Sequence, residues 1–231
     1  MIITTTELKA YTVCPMLCKF GTKPAVDPLL IALKRALTYL YSFEMSNNKK
    51  VLEGSMVNKW DKIWRQEAGD LGEDELAERA VEGWLIIKKF MDKVYGSDKR
   101  VPRIVNLSHK ASVEKIHFQT VFDVVLHGPK EEVTLLEFGT VRDTHNLRWQ
   151  LETDIEAKAK LYLLKRSLGR SNCTLIRYNL NKNLNKTSIK ATPTFMKDTE
   201  ETILGIVDNI EEELFYPSPT CKCPHPERCK S

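Results

Sequence analysis

The segment FQTVFDVVLHGPKEEVTLLEFGT, residues 118–140, decides the fold. Two apolar runs flank the turn-forming sequence HGPK at 127–130, which predicts two β-strands joined by a turn. Each run contains one carboxylate, Asp123 in the first and Glu137 in the second. A carboxylate in an apolar strand is costly to bury unless it is paired, hydrogen-bonded or bound to a cation. The two acids could therefore hold one hard cation such as Mg²⁺, or they could lie on a solvated face of the hairpin.

The rest of the chain shows helical periodicity before this hairpin and mixed periodicity after it. Asp27-Pro28 is typical of a helix start, with Asp at the N-cap and Pro at the first helical position. The order of elements predicts an α/β or α+β chain built around a central sheet. The predicted elements are helices within 5–20, 28–45, 51–64 and 81–94, strand segments at 104–107 and 113–118, the hairpin, a helix at 149–168, a β-hairpin at 173–191 and a helix at 198–214.

The composition is that of a folded protein with an uneven distribution of charge. Of 231 residues, 42% are hydrophobic, which excludes global disorder, and the net charge is only +4. Residues 142–190 carry eleven Lys or Arg against four acids, whereas 194–216 carry seven acids against one Lys. A basic region beside an acidic site favours a polyanionic substrate, although a solvated helix face gives the same pattern.

The chain has no apolar run approaching the roughly 20 residues of a membrane span. Its start, MIITTTELKAY, lacks the basic and apolar regions of a secretory signal. We therefore expect an intracellular, cytoplasmic protein without a membrane partner. Disulfides are unexpected in that compartment, so the six cysteines need another explanation.

Five cysteines lie close to the ends of the sequence. Cys14 and Cys18 are near the start, and Cys221, Cys223 and Cys229 are interleaved with prolines in the tail. So dense a group in a short loop indicates thiolate ligation of a metal. Four ligands are needed, so Cys14 or Cys18 would complete the set and bring the two ends together. Zinc, for which the tail histidine is a further ligand candidate, and an iron–sulfur cluster both remain open, as do unliganded surface thiols.

With these features in place, the chain resembles the iron–sulfur-containing, RecB-like branch of the PD-(D/E)XK nuclease superfamily. That branch includes CRISPR-associated adaptation nucleases and AddB-type helicase–nuclease subunits. YTVCPMLCKF at 11–20 is similar to its N-terminal Tyr-x-x-Cys-Pro segment, and FYPSPTCKCPHPERC at 215–229 to its C-terminal three-cysteine segment. The spacing from Cys223 to Cys229 follows the family pattern, whereas Cys221 and Cys223 are one residue closer than usual.

The resemblance implies a restriction-endonuclease-like fold, in which helices flank a central mixed β-sheet. A single nuclease-like domain would comprise a helical portion at 1–100, a sheet core with the active-site hairpin at 101–192, and a C-terminal helix with the cysteine tail at 193–231. The two termini would join at the cysteine site. The implied cofactor is a 4Fe–4S cluster, with zinc as the alternative, held by Cys14, Cys221, Cys223 and Cys229, and Cys18 is a further candidate ligand.

The resemblance also assigns roles within the active-site hairpin. Asp123 and Glu137 correspond to the two acids that bind Mg²⁺ or Mn²⁺, and Glu114 lies on the preceding strand, where the family often has another acid. The family lysine two residues after the second acid is replaced here by Gly139. The metal-binding histidine of the early helix is replaced by Asn58.

Some family members supply the missing lysine from the helix after the hairpin. Lys158 and Lys160 are the candidates for that role in this chain. In the expected helix register, Glu156 and Lys160 take the positions of a family Gln and Tyr.

Three functions follow as hypotheses. The first is a metal-dependent DNA nuclease of exonuclease or endonuclease type, acting on single-stranded DNA or DNA ends. The second is an inactive nuclease-like protein that binds DNA or serves as a subunit with other DNA-processing proteins. The third is a zinc-binding interaction protein. The candidate nucleic-acid contacts, all in the basic region, are Arg142, Arg148, Lys165 and Arg166.

Overall fold

The computed structural model of the protein describes residues 2–15, 27–114, 116–139, 146–169 and 172–215. Within these ranges, seven α-helices flank a six-stranded mixed β-sheet, which confirms the predicted α/β architecture. The helices are α1 (Thr5–Val13), α2 (Pro28–Asn47), α3 (Glu53–Glu67), α4 (Glu73–Phe90), α5 (Leu147–Thr153), α6 (Ile155–Leu168) and α7 (Pro193–Glu211), and a π-helical turn, Met91–Tyr95, extends α4. The strands are β1 (Ile2–Thr4), β2 (Val101–Val113), β3 (Ile116–His127), β4 (Glu132–Gly139), β5 (Asn172–Asn179) and β6 (Lys186–Lys190).

Strand β3 is the centre of the sheet. Antiparallel β2 follows it from one end to the other, from Val101 opposite His127 to Val113 opposite Ile116. A strand has two edges, so β1 and β4 share the second edge of β3. Parallel β1 takes the beginning of that edge and antiparallel β4 takes its end. The gap between β1 and β4 therefore lies beside the middle of β3, where Asp123 is located.

The alternation of side chains between the two faces of the sheet shifts by one residue at Asp123. Phe122 and Val125 pack in one hydrophobic cluster, although side chains three residues apart in a regular strand point to opposite faces. Val124 between them packs in the other cluster. The partner strand is irregular at the same level, because Asn106 has a left-handed backbone with φ of 47°. This local irregularity lets a polar side chain enter an otherwise apolar strand.

Each face of the sheet is covered by its own set of helices. Helices α2, α3 and α4 pack on one face, where Trp60 and Trp64 lie in the core and donate indole N–H bonds to backbone carbonyls of α4. Helices α1, α5, α6 and α7 pack on the other face. No helix among the described residues combines the length and apolar character needed to cross a bilayer.

Local chemistry explains the helix boundaries. The Asp27 carboxylate accepts a hydrogen bond of 2.9 Å from the N–H of Leu29, and α2 begins at Pro28 as predicted. The predicted helix at 149–168 is instead two helices, because Asp154 has an extended backbone and caps α6. Gly169 ends α6 with φ of 70°, a conformation that favours glycine.

Several other predictions of the elements are wrong. Helix α4 begins at Glu73, eight residues earlier than the predicted start at 81. The segments predicted at 104–107 and 113–118 do not form separate strands, because β2 runs unbroken to Val113 and reverses at Glu114. Strand β1 was not predicted. Helix α7 begins at Pro193, five residues earlier than predicted, because Thr192 caps it by accepting a bond from the N–H of Phe195.

Candidate active site

Asp123 lies where strands β3 and β4 separate. Their ladder ends at the pair Val124–Leu136, and beyond it the Asp123 Oδ2 atom accepts a hydrogen bond of 3.0 Å from the backbone N–H of Phe138. The carboxylate thus replaces a strand-to-strand hydrogen bond. Burial raises the pKa of Asp123, and the charge of Glu137 raises it further, against the opposing effect of Lys34.

Glu137 is the most tightly held acid of the hairpin. Its side chain is 6% exposed, and its two oxygens contact different cations. Lys160 Nζ lies 3.0 Å from Oε1, and Arg177 Nη2 lies 2.7 Å from Oε2. Burial alone would raise the pKa of Glu137, but the charges of Lys160 and Arg177 outweigh it and lower the pKa to about 2. Glu137 is therefore ionised at neutral pH.

Lys160 is brought to Glu137 by the packing of α6 against the sheet. Glu137 shares a sheet face with Leu135, two residues earlier, and α6 covers that face. Lys160 is 12% exposed and also lies 3.1 Å from Glu156, one helical turn earlier. The structure thus places a lysine of α6 beside the second acid of the hairpin.

Arg177 connects Glu137 to a second acid, Asp154. Strands β4 and β5 are parallel with Glu137 and Arg177 in register, so both side chains point to the face covered by α6. Arg177 Nη1 lies 2.8 Å from Asp154 Oδ2. Burial disfavours the charged form of Asp154, but Arg177 and Lys9 together lower its pKa. Lys9 of α1 is 3.1 Å from the same Oδ2 atom.

The charges in this site balance among the described residues. Four carboxylates and four cations form this charge network. Three of each are joined in a closed ring of ion pairs, and Lys34 of α2, 3.8 Å from Asp123, forms a separate pair. Such a network offsets part of the cost of burying charges, because each has an oppositely charged partner nearby. Its acids are Asp123, Glu137, Asp154 and Glu156, and its cations are Lys9, Lys34, Lys160 and Arg177.

Among the described residues, three of those predicted for the site form no hydrogen bond or ion pair with Asp123 or Glu137. Glu114 is exposed in the turn between β2 and β3, at the far end of β3 from the separation with β4. Asn58 is exposed on α3. Lys158 is two residues from Lys160, about 200° around the helix, and lines a cavity of about 560 Å³ with Arg148. Of the two candidate lysines, Lys160 is the one that lies beside Glu137.

The candidate nucleic-acid contacts that the structure describes lie on two helices, α5 and α6. Arg148 is 81% exposed and pairs with Glu152 one turn later in α5. Arg166, in the last turn of α6, lies 2.9 Å from both Glu200 and the Tyr162 hydroxyl. Lys165 is next to it in the same turn. Arg142 lies outside the described residues.

Only one of the candidate cysteine ligands is described. Cys14 is buried at the end of α1, while Cys18, Cys221, Cys223 and Cys229 lie outside the described residues. Helix α1 contacts the segment that leads to the tail: the Tyr11 hydroxyl donates a 2.8 Å hydrogen bond to the carbonyl of Leu214, and its ring packs edge-on against Phe215.

Sequence reasoning missed four members of the network. Arg177 gave a usable signal, because it is a charged residue within the apolar strand sequence TLIRYNL, just as Asp123 and Glu137 are in theirs. Asp154 precedes a helical segment and could have been identified as an N-cap. Lys9 and Lys34 gave no local signal, since their position at the site depends on how α1 and α2 pack.

The fit of a divalent metal depends on the two hairpin acids. Within the ranges that the structure describes, no three His, Cys, Asp or Glu side chains converge in an arrangement that would hold a metal ion. Asp123 and Glu137 nevertheless supply hard oxygen donors of the kind that Mg²⁺ and Mn²⁺ prefer, and Glu137 is ionised. The donor chemistry fits, while Lys160 and Arg177 already contact both oxygens of Glu137.

Comparison with known proteins places the fold. No protein-family model and no curated protein matches this sequence. The crystal structure of a protein from Eubacterium rectale that is provisionally assigned as an exonuclease matches with a TM-score of 0.61 and 10% identity, over 98% of this chain and 87% of that one. At this identity the likeness shows a shared fold. The fold is thus similar to that of this provisionally assigned exonuclease.

Two further solved structures match more weakly. SSO0001 is 12% identical over 88% of this chain and 75% of that chain, with a TM-score of 0.32. Scheffersomyces stipitis Rai1, in complex with (3'-NADP)+ and calcium ion, is 12% identical over 92% and 69%, with a TM-score of 0.25. These scores are too low to carry an argument.

Proposed function

We propose that this protein is a nuclease-type DNA-processing enzyme that hydrolyses phosphodiester bonds with a divalent metal at Asp123 and Glu137. The observation that carries the proposal is the 3.0 Å contact between Lys160 Nζ and Glu137 Oε1. The replacement of the expected strand lysine by Gly139 argues against catalysis, because glycine carries no positive charge. A lysine from α6 now stands beside the second acid, so the chain retains two acids and a buried amine.

Each residue has a distinct chemical task in this proposal. Mg²⁺ or Mn²⁺ bound by Asp123 and Glu137 would activate water and offset charge on the phosphate. The Lys160 amine is held charged, because Glu137 and Glu156 raise its pKa against the effect of burial. A fixed ammonium group at this place would orient the attacking water and stabilise negative charge on the phosphate oxygens. Glu156 keeps the amine in position.

DNA is the substrate that the chemistry and the comparison favour. The structural neighbour from Eubacterium rectale is provisionally assigned as an exonuclease. The excess of Lys and Arg in residues 142–190 would attract a polyanion. We extend this proposal to single-stranded DNA or DNA ends as the substrate form, and to association with other DNA-processing proteins.

A cysteine-bound cofactor is a further part of the proposal. We assign a 4Fe–4S cluster, with zinc as the alternative, to Cys14, Cys221, Cys223 and Cys229, with Cys18 as a further candidate ligand. The contact of Tyr11 with Leu214 supports this set. This contact holds the start of the tail beside Tyr11, which is three residues before Cys14 in the sequence. From there to Cys221, a six-residue segment could span about 20 Å if it were extended. Metal analysis and visible absorption would distinguish iron from zinc.

A cleavage assay tests the nuclease proposal. Purified protein is incubated with single-stranded and duplex DNA in the presence of Mg²⁺ or Mn²⁺. We expect Asp123→Ala and Glu137→Ala to abolish cleavage and Lys160→Met to lower it about 10²–10³-fold. Lys158→Met is the matched control, since it removes the same charge from the same helix on another face. Absence of cleavage with any divalent cation would refute the proposal.

A specific observation favours a second candidate function, an inactive nuclease-like protein that binds DNA. Arg177 and Lys34 place protein cations beside Glu137 and Asp123, where a metal would supply positive charge. In that case the protein would bind DNA with an affinity that falls steeply with salt, because phosphate contacts release counterions. It would cleave no DNA form with any metal.

A further inference from the structure

Arg177 occupies one side of the carboxylate that a metal would approach. Its Nη2 and Nε atoms lie 2.7 and 3.0 Å from Glu137 Oε2. We infer that Arg177 is a tethered cation that competes with divalent metal for Glu137 and so sets the metal concentration at which the site loads. This inference rests on the metal-binding role proposed above for Asp123 and Glu137.

The pairing of Arg177 with Glu137 is built into the sheet. The two residues are aligned partners in the parallel β4–β5 ladder and lie on the same face, so the backbone brings their side chains together. Arg177 is only 16% exposed. A contact fixed by strand register and burial persists in the folded protein, unlike an exposed pair between two flexible side chains.

Asp154 gives the guanidinium a second anchor. Its Oδ2 atom is 2.8 Å from Arg177 Nη1, while its Oδ1 atom accepts a 3.1 Å bond from the backbone N–H of Glu156. Asp154 is thereby fixed at the start of α6. If a metal displaces Arg177 from Glu137, the arginine keeps Asp154 as a partner and is not left as an unpaired buried charge. Displacement is therefore possible without disrupting the fold.

The identity of the side chain matters for this competition. A guanidinium group does not lose its proton in a protein, so the positive charge beside Glu137 persists at every physiological pH. In a buried site its repulsion of a divalent cation is weakly screened. A neutral side chain at position 177 would remove both the repulsion and the occupied coordination position.

The test measures metal binding without DNA. Mn²⁺ is titrated into the full-length protein, and free Mn²⁺ is followed by its electron paramagnetic resonance signal. We expect Arg177→Gln to bind Mn²⁺ about tenfold or more tightly than the parent protein, and Arg177→Lys, which keeps a charge but loses the forked contact, to fall between them. Arg65→Gln is the matched control. It removes the same charge from an exposed pair with Asp61 on α3 and should leave the affinity unchanged.

The double variant Arg177→Gln/Glu137→Gln locates the effect. We expect it to lose the gain in affinity, because the released carboxylate is the source of that gain. Equal or weaker Mn²⁺ binding by folded Arg177→Gln, or by Arg177→Lys if the glutamine variant does not fold, overturns the inference. So does a gain that survives the loss of Glu137. Absence of Mn²⁺ binding in every variant overturns it together with the metal-dependent function.

The outcome is separable from that of the cleavage assay. Tighter Mn²⁺ binding by Arg177→Gln without DNA cleavage by any variant supports the inference and refutes the nuclease proposal. DNA cleavage by the parent protein with an unchanged Mn²⁺ affinity in Arg177→Gln supports the nuclease proposal and refutes the inference about Arg177.

Discussion

Replacement of Glu137 by Gln should remove a pH-dependent contribution to stability. The buried cations Lys160 and Arg177 lower the pKa of Glu137 from its usual 4.5 to about 2, which corresponds to about 3 kcal/mol. The shift is downward, so this stability is present above about pH 4.5 and is lost as the pH falls towards 2. We therefore expect Glu137→Gln to be less stable than the parent protein by about 3 kcal/mol near neutral pH, and by much less near pH 2.

Urea denaturation measured by circular dichroism at several pH values between about 2.5 and 7 tests this expectation. The decisive quantity is the difference in unfolding free energy between the two proteins as a function of pH. A difference that does not change with pH would show that Glu137 has no depressed pKa. Equal stability near neutral pH would mean that the contacts with Lys160 and Arg177 do not stabilise the fold. Glu152→Gln, which alters an exposed pair with Arg148, is the control and should change the stability little.

Three further predictions concern stability and use the same denaturation assay. Asp123→Asn should stabilise the protein more near pH 7 than near pH 4, because burial raises the Asp123 pKa and the ionised form is disfavoured in the folded state; a destabilisation that grows with pH would contradict this. Gly83→Ala should destabilise by about 1–3 kcal/mol, because the added Cβ would lie 2.3 Å from Trp60, and an unchanged midpoint would contradict that close approach. Gly139→Ala should leave the stability nearly unchanged, since the nearest atom to the added Cβ would be Arg177 Cδ at 4.0 Å. A loss of stability as large as that of Gly83→Ala would contradict this geometry.

Local signals in the sequence were sufficient for much of the fold. The Asp27-Pro28 start of α2 and the Gly169 end of α6 were predicted because capping and left-handed glycine are properties of a few neighbouring residues. Strand β1 was missed because three residues carry no periodic pattern and pair only once β3 is in place. The predicted strands 104–107 and 113–118 belong to the long antiparallel pair β2–β3, which likewise depends on long-range hydrogen bonds.

The same distinction between local and long-range signals applies to the candidate site. Asp123 and Glu137 were identified from carboxylates in apolar strands, and Lys160 was one of two candidate lysines. Sequence could not choose between Lys158 and Lys160, because the choice depends on the rotation of α6 against the sheet. Arg177 carried the same signal as the acids and could have been included.

The exchange of faces at Asn106 and Asp123 also constrains how the central strands can pair. In a uniform β-ribbon, moving one strand by two residues restores the same inward and outward pattern, so alternative alignments compete. Here the pattern changes phase partway along both β2 and β3, at one matched level. If β2 slid along β3, the two phase changes would no longer lie opposite each other. Apolar side chains would then be exposed on one face of the sheet, or polar side chains buried on the other. The residue that supplies the site with its first carboxylate therefore also fixes the alignment of the longest strand pair in the sheet.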